Sequence, residues 1–84
     1  MSSMRVRVLA FATAAQALGG AERTVELPDG TTAGELLRRL EGEAPQLAAL
    51  RSRLAIAVDG ALARSERVLA DGCEVALLPP VSGG

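Results

Sequence analysis

An α+β fold, with one main helix packed on one face of a sheet, follows from three features of the chain. Residues 4–11, 23–27, 54–58 and 73–78 alternate in strand fashion or run apolar. Residues 33–44 repeat apolar side chains at helical spacing behind a capping signature. Asp-Gly and Gly-Gly pairs punctuate the joints. The predicted order is ββαββ in one domain spanning residues 1–84, near the lower size at which a hydrophobic core suffices without staples.

The first strand is expected over Met4–Phe11, because Met4-Arg5-Val6-Arg7-Val8 alternates with period two. A short helical segment over Thr13–Leu18 follows and stops at Gly19-Gly20. The basic start, the apolar run through Phe11 and Ala15-Gln16-Ala17 also have the outline of a signal peptide. Cleavage there would remove the first strand from a small domain, so the cytosol is the expected compartment. Arg23–Leu27 alternates again, and Pro28-Asp29-Gly30 reads as a turn. The short connection predicts that these two strands pair antiparallel.

Thr32 followed three residues later by Glu35 is a capping box that opens the main helix. Ala33, Leu36, Leu37, Leu40 and Ala44 share one face; Arg38, Arg39, Glu41 and Glu43 form the solvated one. Gly42 and Pro45 are expected to end this helix, with a second short turn over Gln46–Arg51. Leu54–Val58 is the third strand, closed by Asp59-Gly60, with a weaker pairing segment at Ala61–Arg64 and a loop through Ser65–Arg67. Asp71-Gly72 turns into the last strand, Cys73–Leu78, which Pro79-Pro80 ends by removing two backbone donors.

Composition excludes several classes of chemistry. There is no histidine, and Cys73 is the sole cysteine, which leaves no disulfide framework, no usual zinc site and no His-assisted nucleophile. Cys73 is read as a packed core residue, with a lone reactive thiol as the other reading. No lysine is present for Schiff-base chemistry. One aromatic residue, Phe11, and a net charge of −1 argue against nucleic-acid stacking and polyanion binding.

Strand parity assigns Met4, Val6, Val8, Leu54, Ile56, Val58, Val75 and Leu77 to the helix-facing core. The opposite parity gives an open face that changes from Arg5 and Arg7 to Leu9, Phe11, Ala55, Ala57, Ala76 and Leu78. Its apolar end is either a docking surface or covered by the chain's own flanking segments.

The chain closes on Pro79-Pro80-Val81-Ser82-Gly83-Gly84. Six extended residues reach roughly 20 Å, and two glycines present no side chain to a narrow channel. Such a tail is read as able to thread into a partner's active site. The plain alternative is a disordered terminus.

These residues resemble the ubiquitin-like sulfur carriers of the MoaD/ThiS family, and within it the MoaD-type small subunits of molybdopterin synthase. The resemblance rests on Val8-Leu9-Ala10-Phe11-Ala12, the capped helix, Asp71-Gly72 and, most specifically, Leu78-Pro79-Pro80-Val81-Ser82-Gly83-Gly84. It implies a β-grasp fold with the first and last strands parallel at the sheet centre. It also implies no autonomous catalysis. An adenylyltransferase of the ubiquitin-activating kind, using ATP and Mg2+, would adenylate the Gly84 carboxylate. A sulfurtransferase would supply the sulfur of a Gly84 thiocarboxylate, and the tail would enter the large synthase subunit to thiolate cyclic pyranopterin monophosphate. Pro79, Pro80, Val81, Ser82 and Gly83 would thread, Leu9, Phe11 and Leu78 would dock, and no metal or stably bound cofactor is expected. The family's frequent Arg-Glu pair after the first strand is Ala15-Gln16 here, and Cys73 stands where an acidic residue is frequent. Carriers for thiazole, cysteine, thiosugars or thiolated tRNA, a ubiquitin-like protein modifier and a noncovalent adaptor remain the alternative readings.

Overall fold

The computed structural model describes residues 2–50 and 53–78. Strand β1 (Ser3–Ala10) leads through helix α1 (Ala12–Leu18) to β2 (Glu22–Pro28). Helices α2 (Ala33–Glu43) and α3 (Pro45–Leu50) follow, then β3 (Ala55–Val58), β4 (Ala61–Ala63) and β5 (Glu74–Leu78). The five strands form one mixed sheet in the order β2-β1-β5-β3-β4, with β1 and β5 parallel and the other pairs antiparallel. A last strand that returns beside the first gives the expected β-grasp arrangement.

The alternation in β1 has its predicted consequence: Met4, Val6, Val8 and Ala10 are buried, while Arg5 and Arg7 are exposed. They pack with Leu36, Leu37 and Leu40 of α2, Leu47 of α3, Ile56 and Val58 of β3, and Val75 and Leu77 of β5. Burying each such aliphatic side chain contributes about 1.5–3 kcal/mol, which is how a chain with a single aromatic residue assembles a core. Cys73 is buried in the same cluster, as a packed residue.

Helix α2 starts where its capping box places it. The Thr32 hydroxyl accepts from the Glu35 amide at 3.2 Å, and the Glu35 carboxylate accepts from the Thr32 amide at 2.9 Å. The next amides are taken by the 64–67 loop, Ala33 donating to the Arg67 carbonyl at 2.9 Å and Gly34 to that of Ser65 at 2.8 Å. Gly34 allows this approach, since a Cβ there would lie 2.9 Å from the Ser65 Cβ. Hydrogen bonds from the Thr32 backbone, then from its hydroxyl, hold the Glu35 carboxyl below the usual glutamate range. The lowered folded-state value means that Glu35 adds stability above the ordinary glutamate pKa and loses it as pH falls through the folded value. Thr32→Ala, which removes the N-cap acceptor of the Glu35 amide, is expected to destabilise the fold by about 1 kcal/mol near neutrality. In urea melts across pH, the gap from wild type should narrow as Glu35 protonates.

Several boundaries differ from the sequence expectation. Phe11 is the N-cap of α1 with no side-chain cap bond, and β1 ends at Ala10; a positive φ of 52° at Ala12 breaks the strand direction. Helix α1 begins at Ala12, and β2 extends one residue beyond each predicted end. Gly42 lies inside α2, and Pro45 opens α3, where its missing N–H has no helical partner to lose. Glycine lowers helix propensity without ending a helix whose leucine face is packed. Leu54 precedes β3 and is half-buried, β4 ends at Ala63, and Cys73 precedes β5.

Candidate functional site

The open face of the sheet is built by register. Leu9 stands opposite Ala76 of β5, Ala76 opposite Ala57 of β3, and Ala57 opposite Leu62 of β4. Directly opposed residues share a face, so these four make an apolar stripe across four strands. Leu78 and Ala55 form a second opposed pair on the same face. Leu9, Ala76 and Leu78 are half-buried, Phe11 is 46% exposed and Leu62 is 75% exposed. Ala57 is buried rather than open, a small side chain flanked by Ala76 and Leu62.

The other half of the face is polar. Arg7 stands opposite Glu74 on one side and Thr24 on the other, and Arg5 stands opposite Glu26. The Arg7 guanidinium bonds Glu22 and lies 3.7 Å from Glu74. The hydrogen bond to Glu22, then its charge, raises the Arg7 pKa. Ser3, Arg5, Thr24, Glu26 and Asp71 line a trough of about 530 Å³ beside it. The predicted change from polar to apolar along β1 is therefore present, with the apolar half at the end where β5 finishes.

Two aspartate turns hold the strands in place behind this face. Asp59 and Gly60, with φ of 50° and 85°, join β3 to β4 in a two-residue hairpin, where both positions need positive φ. The Asp59 amide donates to the Glu74 carbonyl at 2.8 Å, and its Oδ1 accepts from the Glu74 amide at 2.9 Å. Asp71 and Gly72 grip Arg5 in the same way: Asp71 Oδ1 accepts from the Arg5 amide at 2.8 Å, and the Gly72 amide donates to the Arg5 carbonyl at 2.8 Å. The turn residues that read only as punctuation thus fix the height of the two central strands relative to each other.

Of the residues singled out from sequence, Leu9 and Leu78 lie at the apolar end of the open face by register, and Phe11 is exposed just beyond the end of β1. The tail residues Pro79, Pro80, Val81, Ser82, Gly83 and Gly84 lie outside the described residues. Leu62 was missed. Its segment, Ala61-Leu62-Ala63-Arg64, is too short for its parity to be read, and only the register with Ala57 assigns its face. Among the described residues, no group of three or more cysteines or carboxylates is placed to hold a metal ion. No helix among them is long and apolar enough to cross a membrane.

Residues 8–84 match the family model described as the ThiS family. A protein of Mycobacterium tuberculosis named molybdopterin synthase sulfur carrier subunit is 37% identical over 82 residues, covering 96% of this chain and 99% of the relative. The crystal structure of the modifier protein SAMP1 from Haloferax volcanii superposes with a TM-score of 0.82 at 28% identity, covering 95% of this chain and 99% of the other. A chain from the complex of subunits 1 and 2 of the molybdopterin-converting factor from Helicobacter pylori gives 0.67 at 28% identity, with 96% and 100% covered.

Proposed function

The chain belongs to the ThiS/MoaD family, and on that premise we propose that it is the sulfur-carrier small subunit of a molybdopterin synthase, with the carboxylate of Gly84 as the group that travels between enzymes. The observation that carries this reading is that the apolar half of the open sheet face and the end of β5 lie at the same edge. Leu9, Phe11, Leu62 and Leu78 seat the carrier on its partner, and β5 delivers residues 79–84 from the edge of that contact. The similarity to a chain from the complex of subunits 1 and 2 of a converting factor supports a large synthase subunit as the partner.

The chemistry follows from the poor reactivity of a carboxylate. In the activating enzyme, with ATP and Mg2+, a Gly84 oxygen attacks the α-phosphorus and pyrophosphate leaves, giving an acyl-adenylate. Sulfur at the sulfide level, supplied by a sulfurtransferase, adds to the carbonyl and AMP departs, giving the thiocarboxylate. In the synthase, that sulfur bonds to a carbon of cyclic pyranopterin monophosphate as the carbon–oxygen bond it replaces breaks, the oxygen leaving as water or with phosphate, and a water molecule cleaves the acyl–sulfur bond to restore the carboxylate. A dithiolene holds two sulfurs and each carrier brings one, so two loaded carriers are consumed per product. The carrier provides no acid or base of its own; the prolines limit the freedom lost on threading, and Gly83 allows close passage.

The test is reconstitution. Thiocarboxylated protein, mixed with the large synthase subunit of the same organism and cyclic pyranopterin monophosphate, should yield a dithiolene product by mass spectrometry at two carriers per product. Absence of product with an active large subunit would move the assignment to another pathway. The likeness to SAMP1 supports one second reading, a protein modifier, which Gly84-linked conjugates to target lysines in cell extract would establish.

A further inference from the structure

We propose that the surface docking on the open sheet face is basic opposite its polar half, so that guanidinium or ammonium groups of the partner fix the direction in which the carrier sits. This rests on the docking reading above and adds the chemistry of the partner's surface. Five strands at about 4.8 Å spacing and eight residues at about 3.4 Å make a face of roughly 20 by 27 Å. A standard interface takes about 800 Å² from each partner. A partner seated on Leu9 and Leu62 therefore also covers Arg5, Arg7, Glu22, Glu26 and Glu74.

That half has more carboxylates than cations to neutralise them. Glu22 and Glu74 share the single Arg7 guanidinium. Glu26 faces Arg5 by register but forms no ion pair among the described residues, and its bond is to the Ser3 hydroxyl at 3.4 Å. Asp29, Asp59 and Asp71 stand in the turns at the same end of the sheet. These six carboxylates stand with two guanidiniums. The remaining described residues carry Arg23, Arg38, Arg39, Arg53, Arg64 and Arg67 with four glutamates, so the carboxylate excess is gathered at this end of the sheet. A near-neutral protein is in this way unevenly charged.

The polarity supplies what the apolar stripe lacks. The stripe has a leucine at each end, Leu9 and Leu62, around two alanines, so a half-turn of the carrier leaves it nearly unchanged. The acidic half breaks that pseudo-symmetry, and only one orientation directs Leu78 toward the partner's reaction centre. Charge complementarity of this kind acts mainly on association rate and register.

Binding of the purified protein to the large synthase subunit of the same organism tests this, with rates read at about 0.05 M and 0.5 M salt. Removing two charges with Glu26→Gln and Glu74→Gln together should slow association about tenfold at low salt, with little change in dissociation, and the difference should close at high salt. Glu66→Lys, which alters net charge equally on the helix side, should leave the rate near wild type. Thermal melts check that the double variant is folded; if it is not, Glu26→Gln alone carries the test with a smaller effect of the same sign. Equal rates for wild type and the charge variants, while Leu9→Asp abolishes binding, would overturn the basic-partner inference and leave the docking face standing. Binding that survives Leu9→Asp would overturn both.

Discussion

Deletion of Gly84 is expected to reduce sulfur donation at least about 100-fold while leaving the melting temperature unchanged. In the proposed cycle the reacting carbon is that of Gly84, and removing this residue withdraws the new carboxylate by about 3.5 Å along an extended chain. Misplacement by even 1 Å can cost about 100-fold when a reaction depends on positioning. No loss of stability is expected, because the core closes with Val75 and Leu77 and strand β5 ends at Leu78. The paired readings are sulfur transfer in the reconstituted synthase and a thermal melt. Normal transfer by the truncated chain would remove Gly84 from the mechanism.

Leu9→Asp is the second large effect. Leu9 is half-buried at the junction of the polar and apolar halves, opposite Ala76, and a partner must desolvate it to seat the stripe. A carboxylate placed there gains no partner in an apolar contact and must be desolvated without one. Loss of a central anchor costs about 2–4 kcal/mol, which corresponds to weakening of roughly 30- to 1000-fold. Phe11→Ala, at an exposed N-cap position with no side-chain cap bond, should weaken docking with a smaller disturbance of the fold. Titration calorimetry against the large subunit reads both effects, and circular dichroism confirms that the variants remain folded.

What the sequence disclosed follows from which interactions are local. The Thr32–Glu35 capping box spans three residues and sets the start of α2 by itself. The period of Met4-Arg5-Val6-Arg7-Val8 separates core from surface without knowledge of any other strand. Pairing is not local: that β5 lies beside β1 was available only through resemblance, and its pairing with β3 only from the structure, since nothing in Glu74–Leu78 states its neighbours. Leu62 was illegible for the same reason, because a three-residue strand acquires its face from Ala57. Gly42 misled through its ordinary role as a breaker, because the buried face of α2 outweighs one glycine. Pro45 does follow the end of α2, and a proline that cannot continue one helix begins the next. The clamps of Asp59 on Glu74 and Asp71 on Arg5 join residues 15 and 66 positions apart, beyond the reach of any turn motif.

The central claim is that the Gly84 carboxylate becomes a thiocarboxylate, and the intact mass of the protein tests it most directly. After incubation with the activating enzyme of the same organism, ATP, Mg2+ and a sulfur donor, the account predicts a mass gain equal to replacing one oxygen by sulfur, absent when Gly84 is deleted. An unchanged mass with an activating enzyme that is active on another carrier would contradict it.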